Sequence, residues 1–162
     1  MNNPIDSKII QQPHNHKSCQ KQALQVAEKI CTKKGLRLTP IRRRILELIC
    51  TSHKAIGAYE LLDIYHAEDP KAKPVTIYRT LDFLIEAGLV HKIESINAFI
   101  GCLQAETQHK SAILICEQCS NAYEIDASSV YDSLFALSQA IQFTPHCLTL
   151  ELHGVCSNCS EQ

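Results

Sequence analysis

Apolar residues recur every three or four positions through the first half of the chain, which is the spacing of one buried helix face. Ala23 and Ala27 begin one such series, and similar series follow further along. Thr39-Pro40 is typical of a helix start and Gly88 of a helix end. The pattern predicts helices over residues 18–34, 40–51, 58–67 and 74–87.

After Gly88 the spacing changes to short runs of β-type residues. Two runs lie on either side of Ser95-Ile96-Asn97 and predict a hairpin. The predicted strands cover residues 89–94, 98–103, 112–116, 122–126 and 147–153, and a further helix covers 128–141. Helices followed by a two-stranded hairpin have the layout of a winged helix, and the remaining elements form a second, smaller α/β unit.

The same pattern predicts the division of the chain into parts. Residues 1–17 are polar and have no period, so they predict a flexible tail. The winged-helix unit is predicted over 18–103, a polar hinge over 104–110 and the second unit over 111–162.

Composition narrows the class of protein. The chain has 162 residues and a hydrophobic fraction of 45%, which is enough to build a core. Its nine cysteines cannot pair off completely and favour a reducing compartment. No N-terminal stretch has the apolar run of a signal peptide, and none approaches the ~18 apolar residues of a membrane span. We therefore expect a cytoplasmic protein that does not bind a membrane.

Charge is unevenly distributed along the chain. The net charge of −1 argues against a polyanionic partner. However, residues 1–92 carry 15 Lys and Arg against 9 Asp and Glu, a net of +6, whereas residues 93–162 carry 1 against 8, a net of −7. This asymmetry indicates a basic unit that meets a polyanion, although an ordinary solvated surface is the alternative.

Two Cys-x-x-Cys pairs carry the most specific chemistry in the sequence. The four cysteines are Cys116, Cys119, Cys156 and Cys159, with 36 residues between the pairs. Four thiolates in this arrangement form a complete tetrahedral zinc shell without an open position, so the predicted zinc is structural. A redox-active pair and two disulfides are the alternatives.

The predicted fourth helix has the features of a DNA-recognition helix. Thr76, Tyr78 and Arg79 lie near its start, opposite its apolar face, where a helix-turn-helix enters the major groove. Arg79 can make a bidentate pair with guanine, while Thr76 and Tyr78 suit phosphate or thymine contacts. Tyr59, at the start of the preceding helix, can also reach DNA. The basic residues expected to meet phosphates are Lys33, Lys34, Arg37, Arg42, Arg43 and Arg44. The alternative is that these residues form an ordinary helical surface.

Several segments resemble the ferric uptake regulator family of bacterial metal-dependent repressors. They are Leu38-Thr39-Pro40-x-Arg42, Thr76-Ile77-Tyr78-Arg79-Thr80-Leu81 and Glu86-Ala87-Gly88-Leu89-Val90. The resemblance extends over about residues 20–160. Three further segments are most similar to the zinc uptake regulator branch of that family. They are Ala58-Tyr59-x-Leu61-Leu62-Asp63, Lys73-Pro74-x-Thr76 and Val90-His91-Lys92-Ile93-Glu94-Ser95.

The resemblance implies both a fold and a function. The fold is α+β, an N-terminal winged-helix DNA-binding domain followed by a small α/β dimerisation domain with a four-cysteine zinc site. The function is zinc-responsive repression of zinc uptake genes by a homodimer that binds a palindromic double-stranded DNA operator. Two zinc ions per subunit are implied, one structural and one regulatory. Whether two dimers share one operator stays open.

The resemblance also implies the residues of the regulatory zinc site, which are His91, Cys102, His109 and Glu124. All four lie near the hinge, so one ion bound by them would join the two domains. A thiolate among the donors disfavours ferrous iron. The iron-sensing branch also has a histidine-rich run before the first Cys pair, where this chain has only His109 within residues 104–109.

Two other functions remain as alternatives. The first is an iron-, manganese- or peroxide-sensing member of the same family. The second is a thiol–disulfide protein that uses Cys116 and Cys119. Because no nucleophile–base pair or phosphate loop is apparent, we expect neither an enzyme nor a small-molecule substrate.

The remaining histidines and cysteines have weaker interpretations. His146 and His153 are weak candidates for an accessory metal site, and His14 and His16 are expected to be incidental. The cysteines predicted to be structural are Cys19, Cys31, Cys50 and Cys147.

Overall fold

The computed structural model describes residues 16–102, 104–106 and 109–160. Its first part contains four helices and three short strands. They are α1 (His16–Lys33), α2 (Pro40–Ile49), β1 (Ile56–Gly57), α3 (Ala58–Tyr65), α4 (Pro74–Glu86), β2 (Val90–Ile93) and β3 (Ala98–Gly101). The second part consists of β4 (Ser111–Cys116), β5 (Ala122–Asp126), α5 (Ser128–Ala140), β6 (Glu151–Gly154) and α6 (Ser157–Ser160). The predicted α+β class is confirmed.

Helix ends follow the local signals in the sequence. Gly35 and Gly88 have φ angles of +65° and +78°, a left-handed conformation that glycine adopts without steric cost. Pro40 and Pro74 open α2 and α4, where a missing backbone N–H does no harm. Thr39 occupies the N-cap position of α2, although its side chain makes no capping hydrogen bond.

One apolar core holds the first part together. The buried faces of α2, α3 and α4 meet there, and the ends of the hairpin close it. Its most deeply buried side chains include Ile45, Leu46, Ile49, Leu61, Ile77, Leu81 and Leu84. Each of these residues belongs to the apolar face of its own helix. The amphipathic pattern of the sequence therefore indicates which helix faces pack together.

The strands form two three-stranded sheets. In the first sheet the order is β1-β3-β2, and all pairs are antiparallel. In the second sheet the order is β5-β4-β6, where β4 pairs antiparallel with β5 and parallel with β6. β6 is therefore an edge strand among the described residues.

The hairpin of the first sheet packs against the second sheet. Ile93 and Ile100 share a buried cluster with Ile113, Ile115 and Ala122. The loop before β1 adds a backbone hydrogen bond between the two parts, in which the Ala55 N–H donates to the Ser120 carbonyl at 3.1 Å. Helix α4 leads directly into this hairpin, and Leu84 of α4 shares one core with Val90 and Phe99 of the hairpin, so the two belong to one packed unit.

The structure differs from the sequence prediction at several boundaries. α1 begins at His16, inside the predicted tail, and residues 1–15 lie outside the described part of the chain. β1 and α6 were not predicted, because two or four residues are too short for a periodic signal. The last strand was predicted over 147–153 but spans Glu151–Gly154, since its ladder with β4 starts only at Ile113↔Glu151.

None of the helices in the described ranges is both long enough and apolar enough to span a bilayer.

Candidate metal centres and nucleic-acid interface

The four cysteines of the two Cys-x-x-Cys pairs converge at one end of the second sheet. Cys116 is the last residue of β4 and Cys119 lies in the following turn, while Cys156 and Cys159 lie after β6 and within α6. Their sulfur atoms all lie within 4.8 Å of one another, and the Sγ atoms of Cys119 and Cys156 are 3.8 Å apart. Four converging sulfurs fit one tetrahedral, coordinatively closed metal ion.

The local electrostatics of this sulfur cluster favour a cation. Backbone N–H groups of Cys156 and Cys119 lower the pKa of Cys116 to about 6, and the Cys156 N–H lies 3.4 Å from its sulfur. In contrast, hydrogen bonding to Cys156, together with burial, raises the pKa of Cys159 to about 12. Without a metal, one thiolate is thus stabilised beside a thiol that keeps its proton. A divalent ion would stabilise all four thiolates.

The second cluster joins the hairpin to the second sheet. His91 lies on β2 and Cys102 directly follows β3, while His109 precedes β4 and Glu124 lies on β5. One donor atom from each of these residues lies within 4.8 Å of the others. The Glu124 Oε1 is 2.9 Å from the His91 Nε2 and 2.5 Å from the His109 Nε2. The Cys102 Sγ is 3.4 Å from the same His109 nitrogen.

Burial sets the chemistry of this second cluster. The Glu124 side chain is only 2% exposed, so its carboxylate needs compensating partners. Burial and the nearby Glu124 charge raise the pKa of Cys102 to about 12. The thiol therefore keeps its proton until a cation takes its place. One sulfur, two imidazole nitrogens and one carboxylate oxygen fit a four-coordinate divalent ion.

The predicted DNA-facing residues Tyr59, Thr76, Tyr78 and Arg79 lie near the starts of α3 and α4. Tyr59 is 65% exposed and contacts Tyr78 edge to face, with ring centroids 6.4 Å apart. Arg79 is exposed and Thr76 is half-buried. Val75, an exposed apolar residue on the same turn, was not predicted to be among these residues.

The predicted phosphate-contacting arginines differ in their surroundings. Arg37 is exposed, whereas the Arg42 guanidinium lies 3.5 Å above the Phe83 ring and donates to the Arg37 carbonyl at 2.7 Å. Arg42 thus packs α2 against α4 as well as carrying charge. The other two arginines of α2 form ion pairs within the chain, Arg43 with Glu28, and Arg44 with Glu47 and Glu68. The pairs with Glu28 and Glu68 could not be foreseen, because they join segments that are distant in the sequence.

Sequence reasoning did not identify an exposed apolar stripe on α5. Val130, Leu134 and Leu137 repeat at helical spacing, and Ile141 continues the stripe just beyond the helix. Leu137 is 66% exposed and Ile141 is 78% exposed. No residue of α5 is buried within the described single chain. The helical period was visible in the sequence, but the lack of a partner surface was not.

The other histidines and cysteines occupy varied positions. Cys31 is buried, Cys50 is half-buried and Cys147 is exposed. His146 is exposed, and the His153 ring contacts a serine of the hairpin turn. The side chains of Cys19, His14 and His16 lie outside the described residues. Within the described ranges, the two four-residue clusters are the groups whose geometry suits a metal.

Comparison with known proteins places these features in a family context. Residues 33–153 match the sequence model of the Ferric uptake regulator family. The chain is 41% identical over 146 residues to the Zinc uptake regulation protein of Escherichia coli (strain K12), covering 90% of this chain and 85% of that protein.

Solved structures show the same likeness. A zinc uptake regulator in complex with zinc and DNA superposes with a TM-score of 0.84 at 40% identity, covering 88% of this chain and 95% of that chain. The holo structure of XcZur gives a TM-score of 0.79 at 42% identity, covering 87% of this chain and 99% of that chain. The apo structure of XcZur gives a TM-score of only 0.50 at 40% identity, covering 88% of this chain and 99% of that chain.

Proposed function

This chain belongs to the ferric uptake regulator family of transcription regulators, and from that membership we propose that it is a zinc-responsive, DNA-binding repressor. In this proposal it represses zinc uptake genes by binding a palindromic operator as a dimer when its regulatory site is loaded. The structural similarity to a zinc uptake regulator bound to zinc and DNA supports this function.

The observation that carries the proposal is the position of the His91, Cys102, His109 and Glu124 cluster. Two of its donors come from the ends of the hairpin, and Glu124 comes from the second sheet. An ion bound by all four therefore fixes the hairpin against the second sheet. Because α4 continues into that hairpin, occupancy of this site controls where the recognition helix lies.

The donor set favours zinc as the regulatory ion. A half-buried thiol and two imidazoles are softer than the oxygen-rich shells that suit manganese or magnesium. With Cys102 and Glu124 ionised, two negative charges balance a divalent ion, and four protein donors leave no open position for catalysis. A closed shell of this kind suits a site that senses zinc, because the ion is bound only by protein groups and its binding changes only the arrangement of the protein.

The sulfur cluster supports a second, structural zinc in each subunit. Its four cysteines connect the end of β4 with the segment after β6 and with α6. A closed four-sulfur shell holds these short elements, which have few buried side chains of their own. We propose two zinc ions per subunit on this basis.

Homodimer formation is supported by the apolar stripe on α5 together with β6. The stripe has no partner within the described chain, and β6 leaves one edge of its sheet open there. Burying such a stripe in a two-fold interface removes its apolar area from water. A symmetric dimer would then present two α4 helices to a palindromic operator.

The chain's own residues account for the switch. Without zinc, Cys102 keeps its proton, and the two imidazoles contact the Glu124 carboxylate at hydrogen-bond distance. His91, Cys102, His109 and Glu124 would hold the ion, and its positive charge would let Cys102 and Glu124 both stay ionised side by side. Zinc can tighten DNA binding only as far as it binds the DNA-competent arrangement more tightly than the other arrangement. A coupling free energy of ~1–3 kcal/mol corresponds to a ~5–150-fold change in DNA affinity. The greater similarity to holo than to apo XcZur supports the view that this arrangement is the loaded one.

The alternatives are less well supported. An iron, manganese or peroxide sensor would place fewer thiols and more histidines or carboxylates in the regulatory site. A thiol–disulfide protein would use Cys116 and Cys119 for exchange, but all four sulfurs face one another as a metal shell would require.

A ligand substitution tests the function. Cys102→Ser should abolish the zinc-dependent tightening of operator binding, because the hydroxyl is a far poorer zinc donor than the thiolate. Fluorescence anisotropy with a labelled operator at fixed salt and buffered free zinc measures the effect. Cys147→Ser is the matched control, since that exposed cysteine belongs to neither cluster. Zinc-dependent binding that survives in Cys102→Ser would remove this cluster from the sensing role.

A further inference from the structure

The turn of the hairpin is bound by a carboxylate from β6. The Glu94 N–H donates to the Glu151 Oε1 at 2.7 Å, and the Ser95 N–H donates to the Glu151 Oε2 at 3.1 Å. One carboxylate thus accepts two successive backbone amides, with one oxygen for each. Hydrogen bonds to a charged acceptor are stronger than neutral ones.

A histidine from the same strand adds a third contact. The Ser95 Oγ lies 2.9 Å from the His153 Nε2. Glu151 and His153 are two residues apart on β6, so their side chains share one face of the sheet. Burial alone would raise the pKa of Glu151, but the hydrogen bonds from Ser95 and Glu94 bring its pKa below the ordinary value. The carboxylate is therefore charged at neutral pH.

The strand that carries these two side chains is itself anchored by the sulfur cluster. Gly154, the last residue of β6, pairs with Cys116, and Cys156 follows two residues later. The Cys156 N–H approaches the Cys116 sulfur at 3.4 Å. The position of Glu151 and His153 thus depends on the end of the sheet where the four cysteines meet.

The regulatory cluster and this contact hold opposite ends of the hairpin. His91 and Cys102 lie near its base, whereas Glu94 and Ser95 form its turn, about 10 Å further along at the usual strand rise. Between these ends, Ile93 and Ile100 pack on the second sheet through apolar contacts, which are not directional. The hydrogen bonds at the turn add a directional attachment and so help to define the direction of the hairpin and of α4 behind it.

We propose that Glu151 and His153 form a latch on the hairpin turn and are positioning residues for zinc-dependent DNA binding. Because the sulfur cluster anchors β6 and the latch connects β6 to the hairpin turn, the position of the hairpin depends on both metal sites. Both sites therefore influence the position of the recognition helix. This inference rests on the proposed function. It assigns to the sulfur cluster a role in DNA binding in addition to its role in stability.

Glu151→Gln tests the latch because it removes one acceptor oxygen and the negative charge. We expect about tenfold weaker operator binding at saturating zinc, since hydrogen bonds to charged groups contribute at about this level. Glu94→Gln is the matched control: it removes one negative charge from the same turn, but the Glu94 backbone N–H that enters the latch is kept. Zinc content should be two ions per subunit in both variants, which separates positioning from loss of fold. Equal operator affinity of the two variants would overturn the latch.

Amide hydrogen exchange supplies a test that does not need DNA. In the zinc-loaded protein, the Glu94 and Ser95 amides should exchange slowly. Glu151→Gln should accelerate at least the one that loses its acceptor oxygen, while leaving the amides of β4 unchanged. Ser95→Ala should keep both amides protected and lose only the contact with His153. Fast exchange of both amides in the parent would refute the latch even if zinc tightens DNA binding. Protected amides in a parent that ignores zinc would instead refute the proposed function.

Discussion

At the residue scale, burial explains why a few side chains have specific roles. Glu124 is almost wholly buried, and two imidazoles and a thiol approach it from three separate segments. Each of these groups alone is an ordinary residue, and their convergence gives a geometry that can hold a metal ion. The grouping could be proposed from the sequence because the four residues follow a family pattern. The contacts between Glu151 and the hairpin turn could not, because they join residues 56–57 positions apart.

The raised pKa of Cys102 predicts proton release on zinc binding. Because its pKa is about 12, the thiol is protonated near neutral pH and must lose a proton to bind the ion. Zinc affinity at the regulatory site should therefore rise about tenfold per pH unit for this proton. The raised pKa lowers the stability of the metal-free fold only above the ordinary thiol pKa. At such pH the unfolded chain releases this proton, whereas the native state keeps it.

Calorimetry of zinc binding in buffers with different ionisation enthalpies measures the released protons. The protein should first be loaded at its sulfur cluster, so that only the regulatory site is titrated. Cys102→Ala should release about one proton fewer than the parent. An unchanged proton count would show that Cys102 does not bind the ion as a thiolate.

Arg79 should contribute sequence preference as well as affinity. It is exposed at the start of α4, where a bidentate contact with guanine contributes about 1–3 kcal/mol. Arg79→Ala should weaken operator binding by that amount and reduce the discrimination against a scrambled sequence. Arg37→Ala, which removes a positive charge outside α4, should weaken binding to both sequences alike. Binding of Arg79→Ala with undiminished preference would contradict the assignment.

At the element scale, local signals in the sequence account for most of the helices and strands. Proline at the starts of α2 and α4, and Gly88 after α4, predict the limits of these helices within one or two residues. The shortest elements, β1 and α6, depend on contacts with β3 and with the sulfur cluster, so no local pattern predicts them. α5 was predicted as a helix, but the sequence could not show that its apolar stripe is exposed. That exposure is seen only in the structure, where no residue of α5 is buried within the described chain.

The α5 stripe predicts a specific effect on assembly. Leu137→Asp should dissociate the proposed dimer, because it places a charge on the exposed apolar stripe that would form the interface. Gln139→Asp is the control, since it introduces the same charge on the opposite side of the helix. Sedimentation velocity measures the change. A dimer of unchanged stability in Leu137→Asp would place the interface elsewhere.

At the scale of the whole molecule, the two metal clusters, the hairpin and α4 form one connected path. The second metal cluster joins the base of the hairpin to the second sheet, a carboxylate of that sheet binds the hairpin turn, and α4 continues into the hairpin. The charge asymmetry of the sequence agrees with this organisation, because the basic part contains α4 and the acidic part contains the sulfur cluster. Composition could predict a polyanion-binding part, but not the contacts that join it to the other part.

Metal selectivity of operator binding tests the central claim most directly. The dimer, with its sulfur cluster loaded, would be titrated onto a palindromic operator at fixed salt, because phosphate contacts make affinity salt-dependent. Zinc, ferrous iron and manganese would each be held at buffered free concentrations. We predict that binding tightens as free zinc rises, by ~5–150-fold, and that the other two metals do not reproduce this effect at their cellular concentrations. Tightening by iron or manganese instead of zinc, or no dependence on any metal, would contradict the account.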